Sequence, residues 1–333
     1  MEWNKGYTAR YALWRVDPRT FADAEELRFT GGSIDRSDDD LLESADLDMT
    51  EAPAGVESWV RLYLEARQDG VPTRAALFTG LTSAPERSLD GRRESYKVEC
   101  CSVLKPAEDI LLEAGWYAPP GAAGAQLAAA LLACGPAPVE WDEGSPALRQ
   151  YLVAENGETR LSMAWKILAA IGWRMRIDGS GTIRIEAQPT EPVRVFGQEN
   201  DVFELSVSDE QDWFSCPNCL RVVSGNVSAT ARDDDPASPL STVRRGREVW
   251  ASENRAALSD GESLGAYARR RLRERQQPAR NISYTRRFDP EVRVGDLVEV
   301  RYPGEGISGV FRVTSQSVTL GHNAATKEEA AEL

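Results

Sequence analysis

Large apolar residues recur at every second position through most of the first hundred residues. In Ser58 to Arg67 (SWVRLYLEAR), Trp59, Arg61, Tyr63 and Glu65 lie opposite Val60, Leu62 and Leu64. That spacing belongs to strands, whose side chains point alternately to the two faces of a sheet. Runs 7–16 (YTARYALWRV), 76–88 and 95–103 repeat the pattern, and ELRFTGGSIDRS (26–37) reads as two such runs with a Gly-Gly break between them. Short strands separated by Gly, Pro and acidic turns predict a barrel or sandwich over residues 1–105.

The period changes at Lys105-Pro106. Residues 107–116 (AEDILLEAGW) and the Ala-rich 122–134 read as helices, and a Pro/Gly-rich connection comes after them. The clearest unit is next. Leu161, Ala164, Trp165, Leu168 and Ile171 share one helical stripe. Thr159 is placed to cap its N-terminus and Gly172 to end it in a left-handed conformation. Trp173, Met175 and Ile177 then alternate with Arg174 and Arg176, and Asp178-Gly179-Ser180-Gly181 turns the chain into Thr182–Ile185. Residues 106–195 are therefore expected to form a middle domain of helices and a helix packed on a hairpin.

Strand patterns return over residues 196–322, at 201–208, 219–231, 245–250, 281–288, 294–302 and 308–320. A polar loop, DDDPASP, occupies 233–239. A helix is expected at about 259–277, opened by the capping box Ser259-Asp260-Gly261-Glu262 and carrying a stripe of Leu264, Tyr267, Ala268 and Leu272. The polar tail, 323–333, is expected to fray. The fold class is thus α+β and mainly β.

Chemistry is hard to build from these residues. The one tight cysteine pair is Cys216-Pro217-Asn218-Cys219. A structural zinc site needs four ligands, and no second pair is present; the single histidine, His322, sits in a Gly-His-Asn turn. Residues 220–229 carry a strand pattern, whereas a redox pair belongs at a helix N-terminus. Pro217 and Asn218 instead suit the approach to a strand, with both cysteines as small packed side chains. Cys100 and Cys101, adjacent in a strand, would face opposite sides; with Cys134 they make five cysteines, an odd number that argues against a disulfide framework. A single histidine leaves serine or cysteine hydrolase chemistry without local support. Gly304-x-Gly306-x-x-Gly309 has the spacing of a phosphate loop but lies between two strand patterns, so it reads as a hairpin loop. Asp38–Asp40 and Asp233–Asp235 read as solvated loops, or in the first case as a helix N-terminal turn. The arginines at 269–271, 273 and 275 read as a solvated or subunit-facing helix surface. No catalytic, cofactor-binding or metal-binding residue is assigned, and no cofactor.

The formal charge of −14, from 39 basic against 53 acidic residues, argues against a general nucleic-acid binder. The N-terminus lacks a basic-then-apolar leader, and the longest small-apolar stretch, 121–135, falls short of the roughly 20 residues needed to cross a bilayer. The expectation is a chain made in a cytosol that inserts into no membrane.

The order of these segments resembles that of bacteriophage tail baseplate hub proteins, the family of late control protein D-like hubs and of the hub region of tail-associated proteins of long-tailed phages. RFTGGSIDRSDDDLLESADLDM, ESWVRLYLEA and LFTGLTSAPERS are similar to its first strands. GETRLSMAWKILAAIGWRMRIDGSGTIRI is similar to its helix-then-hairpin unit. PNCLRVVSGNV, DGESLGAYARRRLRE and VRVGDLVEVRYPGEGISGVFRVTSQSVTL resemble its last part, with Gly295–Val298 and Ser308–Val313 the most specific pieces.

The resemblance implies two tail-tube-like β-barrel domains, 1–105 and 196–322, the second carrying the helical insertion, with an α/β middle domain between them. It implies a non-enzymatic homotrimer at the distal end of a virion tail, assembled in the host cytoplasm. The ring would join a sixfold tube to a threefold tip. Its partners would be a distal tail or tail tube protein, a tape measure protein, and a tip, central fibre or spike protein. DNA would pass through the lumen without specific binding, repelled by an acidic wall. Two alternatives stand beside it: a tail-associated cell-wall-degrading or carbohydrate-binding protein, and a zinc-dependent binding module around Cys216 and Cys219.

Overall fold

The alternating runs of the first hundred residues pair into one sheet in the computed structural model, which describes the chain except residues 2, 4, 39–40, 52–56, 91–92, 198–202, 212, 225–226, 255–262, 277–279 and 322–324. Its strands are β1 (Thr8–Val16), β2 (Asp23–Leu27), β3 (Phe29–Ser37), β4 (Glu43–Met49), β5 (Trp59–Gln68), β6 (Val71–Thr82), β7 (Glu86–Asp90) and β8 (Arg93–Ser102). They run antiparallel in the order β3-β4-β8-β6-β5-β1-β2, with β7 against β8. The inward face carries Leu13, Ile34, Leu47, Leu62, Leu64, Val98 and Phe78.

One expectation for this region needs correction. Gly31-Gly32 does not break a strand; both residues lie inside β3, beside a bulge opposite β4. Gly32 has φ 144°, and a Cβ there would stand 2.0 Å from the Asp46 carbonyl oxygen, so glycine permits a close backbone approach. Both faces of β5 are buried near its start. Trp59 and Arg61 are buried, and Arg61 donates from Nε to Thr79 Oγ1 (3.0 Å) and from Nη1 to Asp23 Oδ1 (3.0 Å).

The middle segment comprises α1 (Lys105–Asp109), β9 (Tyr117–Ala118), α2 (Gly124–Leu132), β10 (Val139–Trp141), β11 (Leu152–Val153), α3 (Arg160–Ile171), β12 (Trp173–Ile177) and β13 (Ile183–Ala187). The helix read over 107–116 is one short turn. Beyond it the backbone extends, because the Leu112 amide donates to the Glu158 carbonyl and the Ile110 carbonyl accepts from the Arg160 amide. Tertiary pairing here overrides local propensity. The unit after it matches the sequence closely. Thr159 accepts from the Ser162 amide, Ser162 returns the bond to Thr159, and Gly172 closes α3 at φ 70°. Leu161, Ala164 and Leu168 are buried, joined by Met163 and Ile167, while Trp165 and Ile171 pack at the margin. β12 and β13 pair antiparallel, from Trp173 opposite Ala187 to Ile177 opposite Ile183. These elements share a core with Val16, Trp59, Val103 and Leu104 of the first segment.

Strands β14 (Arg194–Gly197) and β15 (Phe203–Gln211) come next. The chain divides into two compact units, Met1–Val207 with Ser283–Ala330, and Ser208–Ile282 with Ala331–Leu333. The second contains β16 (Cys219–Ser224), β17 (Val227–Arg232), α4 (Thr242–Arg245), β18 (Trp250–Asn254) and α5 (Leu264–Arg275). Its strands lie in the order β17-β16-β18, β16 antiparallel to β17 and parallel to β18. Of the alternation read over 245–250, Arg245 ends α4, which Gly246 stops in a left-handed conformation, and only Trp250 is strand, as the first residue of β18. Helix α5 starts at an N-cap on Ser263, which accepts from the Ala266 amide. The expected capping box at 259–262 lies outside the described residues. Tyr267, Ala268 and Leu272 pack on Leu220, Val222 and Ala231, with Leu264 beside them.

The chain then forms β19 (Arg280–Arg287), β20 (Leu297–Tyr302), β21 (Ile307–Leu320) and β22 (Ala325–Glu332). β21 pairs antiparallel with β3, Ser315 opposite Ser37 and Leu320 opposite Gly32, which joins the last strands to the first sheet. The tail expected to fray is β22, which lies between β19 and β21 in the strand order. Thr326, Glu328 and Ala330 point inward at period two, so a segment read as polar has a buried face. The protein is mainly β with few helices. Among the described residues the strand order is an open path from β15 to β2, not a closed barrel.

Candidate functional site

The hairpin between β12 and β13 ends in Asp178-Gly179-Ser180-Gly181, and this tip is driven against β6. Asp178 Oδ1 accepts from the amides of Ser180 (2.9 Å) and Thr182 (3.0 Å), which folds the turn on itself. The Gly179 carbonyl accepts from Thr79 Oγ1 at 2.9 Å, and Thr79 in turn accepts from Arg61. β6 is bulged here, where Ala76 and Phe78 bracket Leu77 against β5. The bulge turns the Leu77 carbonyl out of the ladder, where Arg36 Nη2 (2.6 Å) and Arg293 Nη2 (3.3 Å) reach it. Arg293 Nη1 also donates to the Ile177 carbonyl at 3.1 Å, so one guanidinium clamps the hairpin and the bulge together.

Burial pushes the Asp178 carboxyl up, but the Ser180 hydroxyl, the Thr182 and Ser180 amides and the Arg184 charge outweigh it, and it titrates below the ordinary aspartate value. A depressed folded-state pKa contributes stability that is present above the unfolded pKa, about 3.9, and lost as pH falls through the folded value. Asp178→Ala is expected to cost about 1–2 kcal/mol at pH 7. Urea titrations should show that difference shrinking as pH is lowered from 5 toward 2. A difference that persists unchanged at low pH would mean that the carboxylate charge is not what holds the turn.

Arg293 belongs to a larger buried network. Arg36 Nε donates to Glu43 Oε2 at 3.2 Å and Arg36 Nη1 to Gln316 Oε1. Gln316 Nε2 donates to the Val292 carbonyl (3.0 Å) and to Glu328 Oε1 (2.5 Å). Glu328 accepts a two-pronged bond from Arg286, at 2.8 Å from Nε and 2.6 Å from Nη2. Arg36, Glu43, Arg286, Arg293, Gln316 and Glu328 are all buried. Burial raises the Glu43 carboxyl, with Arg36 and Arg293 opposing. Burial beside Arg36 lowers Arg293 to about 10. The network joins β3, β4, β19, β21 and β22 with the loop 289–296. Its members are bonded to one another and to the backbone, apart from Glu43 Oε1, which is buried without a hydrogen-bond partner among the described residues, and together they tie these strands to one another.

In the second unit the organising residue is Asn218, which is fully buried. Its Nδ2 donates to the carbonyls of Leu240 (3.1 Å) and Arg247 (3.0 Å), and its Oδ1 accepts from the Val249 amide at 2.7 Å. Cys216 and Cys219 flank it, both buried, and Cys219 opens β16. Burial raises the Cys219 thiol, the opposite of what thiolate chemistry needs. Among the described residues no three of His, Cys, Asp and Glu converge as metal ligands; His322 lies outside them.

Asp233–Asp235 are not a merely solvated loop. Asp233 accepts from Ser238 Oγ and Gln276 Nε2, and Asp234 from Thr242 Oγ1. Of the other acidic run, Asp39 and Asp40 lie outside the described residues. On α5, Arg269 and Arg273 are exposed as expected, but Arg271 and Arg275 both pair with Glu253 of β18, at 3.2 and 3.1 Å. The glycines at 304, 306 and 309 lie in or beside the turn that joins the antiparallel β20 and β21. Cys100 is buried and Cys101 half-buried on alternate faces of β8.

Sequence reasoning missed the network. Its signal was phase: Arg36 shares a face with Ile34, and Gln316 with Val318, so each polar residue sits in register with the core. It also missed the exposed apolar groups. On the β9–β11 ribbon, Ala118 is buried while Tyr117, Tyr151 and Val153 are more than half exposed. The two tyrosine rings lie 5.9 Å apart. A further shallow groove of about 690 Å³, lined by the ends of β1, β5 and β6, holds Arg10, Glu65, Arg67 and Arg74. Within it Arg10 and Arg74 pair with Glu65.

No family model and no curated protein matches the sequence. Solved structures do match the fold. The 43 kDa tail protein of prophage MuSo2 from Shewanella oneidensis superposes with a TM-score of 0.68 over 98% of this chain and 98% of its own, at 14% identity. A tail protein from Neisseria meningitidis MC58 gives 0.63 over 97% and 96%, at 16% identity. The E. coli c3393 protein, a component of the type VI secretion system with structural similarity to T4 bacteriophage tail proteins gp27 and gp5, gives 0.51 over 92% and 74%, at 9% identity. From its first strand to its last, this chain has the fold of phage tail proteins.

Proposed function

We propose that the chain is a structural, non-enzymatic component of a phage-type tail, a hub at the baseplate or tail tip. The observation that carries this reading is the likeness to a tail protein over 98% of both chains. In this role residues 1–105 and 196–322 act as two tail-tube-like domains, braced by the helix-hairpin segment 106–195. Three copies then present six such domains to a sixfold tube and a threefold face to the tip. The ring meets a tail tube or distal tail protein on one side and a tip, fibre or spike protein on the other, with the tape measure protein ending at it. DNA passes through a lumen whose acidic wall repels phosphate, in keeping with the formal charge of −14.

The buried network suits such a part. A ring that transmits force between a tube and a tip needs domains that do not shear, and bonded buried charges fix one arrangement of strands. Light scattering of the purified full chain, with images of the same particles, tests the reading. A mass of three times the 36.7 kDa chain and a threefold ring with a central channel are expected. A monomer that hydrolyses purified peptidoglycan would overturn it.

A further inference from the structure

Among the described residues, helix α5 covers one face of the small sheet of the second unit, and the other face is buried at Cys219 but open at Arg221. Leu220, Val222 and Ala231 meet α5, while Arg221 and Trp250 emerge on the opposite face, the guanidinium 5.5 Å from the indole centroid. Phe214, 77% exposed, lies where the chain approaches this sheet, with the Arg247 guanidinium 4.1 Å over its ring. Arg245 and Arg247 both donate to the Phe214 carbonyl, at 2.6 and 2.7 Å. Among the described residues Arg221, Arg245 and Arg247 pair with no carboxylate, in a chain that has 53 of them. Aromatic stacking and backbone bonds hold these cations in place, and Glu248, bonded to the Trp250 indole, pairs with Arg232 and not with any of the three.

We infer that this arginine and aromatic face is a contact surface for a second copy of the chain, and that it seats on the acidic remainder of that copy. Residues 208–282 contain twelve arginines, no lysine and eleven carboxylates, whereas the rest of the chain has 27 basic and 42 acidic residues. The two parts are therefore electrostatically complementary between copies. The composition also matches contact surfaces, which are rich in Trp, Phe and Arg and poor in Lys. Arginines already ordered by stacking lose little freedom on docking, which favours association. The inference rests on the homotrimeric reading above and adds the surface that joins the copies.

The test measures the mass of the full chain by light scattering across salt concentrations, for the natural protein and for Arg221→Glu and Arg221→Glu/Arg247→Glu. The natural chain should be trimeric at low salt and dissociate as salt rises, because rim and interface charges are screened over about 10 Å at 0.1 M. Each reversal should weaken association, the double variant by on the order of 100-fold. Among the described residues the Arg221 side chain makes no backbone hydrogen bond, so Arg221→Glu keeps the fold even if the double variant does not, and equal melting temperatures check this. Trimers that persist in Arg221→Glu at every salt concentration overturn the surface and leave the hub reading standing. A natural chain that is monomeric at all salt concentrations overturns both. Binding of a labelled DNA duplex that the reversals abolish, with mass unchanged, would assign the face to nucleic acid instead and overturn the proposal.

Discussion

Gly179→Ala is expected to destabilise the protein by about 3 kcal/mol, since overpacking a tight contact adds to the loss of the bonds that the contact supports. A Cβ at this position would stand 1.7 Å from the Ala76 carbonyl oxygen and 2.3 Å from its carbon, with Arg293 Nη2 at 2.8 Å. The nearest atoms are backbone, held in β6 by its pairing with β5, so they cannot swing aside as a side-chain end would. Relief requires the hairpin tip to lift. Lifting it breaks the bond from Thr79 to the Gly179 carbonyl and draws the Ile177 carbonyl away from Arg293. A buried guanidinium is then short of an acceptor, and the damage reaches the network behind it. Urea denaturation monitored by tryptophan fluorescence measures the change. Gly6→Ala is the control: no atom lies within 4 Å of a Cβ there, and its effect should stay within about 0.5 kcal/mol. Equal midpoints for the two variants would mean that the hairpin tip is not seated against β6.

Glu328→Ala should cost about 3–5 kcal/mol, the usual result of removing one partner from a buried ion pair. Arg286 is buried and donates to Glu328 through two nitrogens, and Gln316 donates to the same carboxylate. Alanine leaves the buried guanidinium charged, with the Arg287 carbonyl as its remaining hydrogen-bond acceptor among the described residues. Replacing both partners by apolar residues of similar size, Arg286→Met with Glu328→Leu, removes the orphaned charge with its partner. That double variant should recover most of the loss, because a buried pair gains little over well-packed hydrophobic groups. The comparison separates two roles for β22. If the double variant is as unstable as Glu328→Ala, the pair fixes the strand in register and packing alone cannot replace it. If Glu328→Ala has no effect, the terminal strand contributes little to the sheet.

Where the sequence was legible, the information was local. The Thr159 cap, the left-handed Gly172 and the switch from a helical to a strand period lie within thirty residues of one another, and short-range geometry decides each of them. The same holds for β1, β5, β6, β8, β20 and β21, whose alternation encodes a buried face whatever lies across from it. Legibility ended where distant segments settle the outcome. Residues 110–116 have helical composition, but the strand-like stretch before α3 captures their backbone. The tail reads as polar, yet Glu328 is buried because Arg286, 42 residues earlier, is there to meet it. The Gly-Gly pair reads as a break, yet β4 presses against it and makes a strand.

The sequence by itself thus determined a mainly β chain and the helix-hairpin unit. Its order of segments also pointed to tail hub proteins. Tertiary structure alone decided that β21 would join the first sheet, that six polar residues from five strands and a loop would share one buried network, and that arginines paired with no carboxylate among the described residues would collect around Phe214 and Trp250. The reason is physical. Periodicity records which face of a segment leaves water, but a buried charge is tolerable only opposite a particular partner, and partners are assigned by folding at long range.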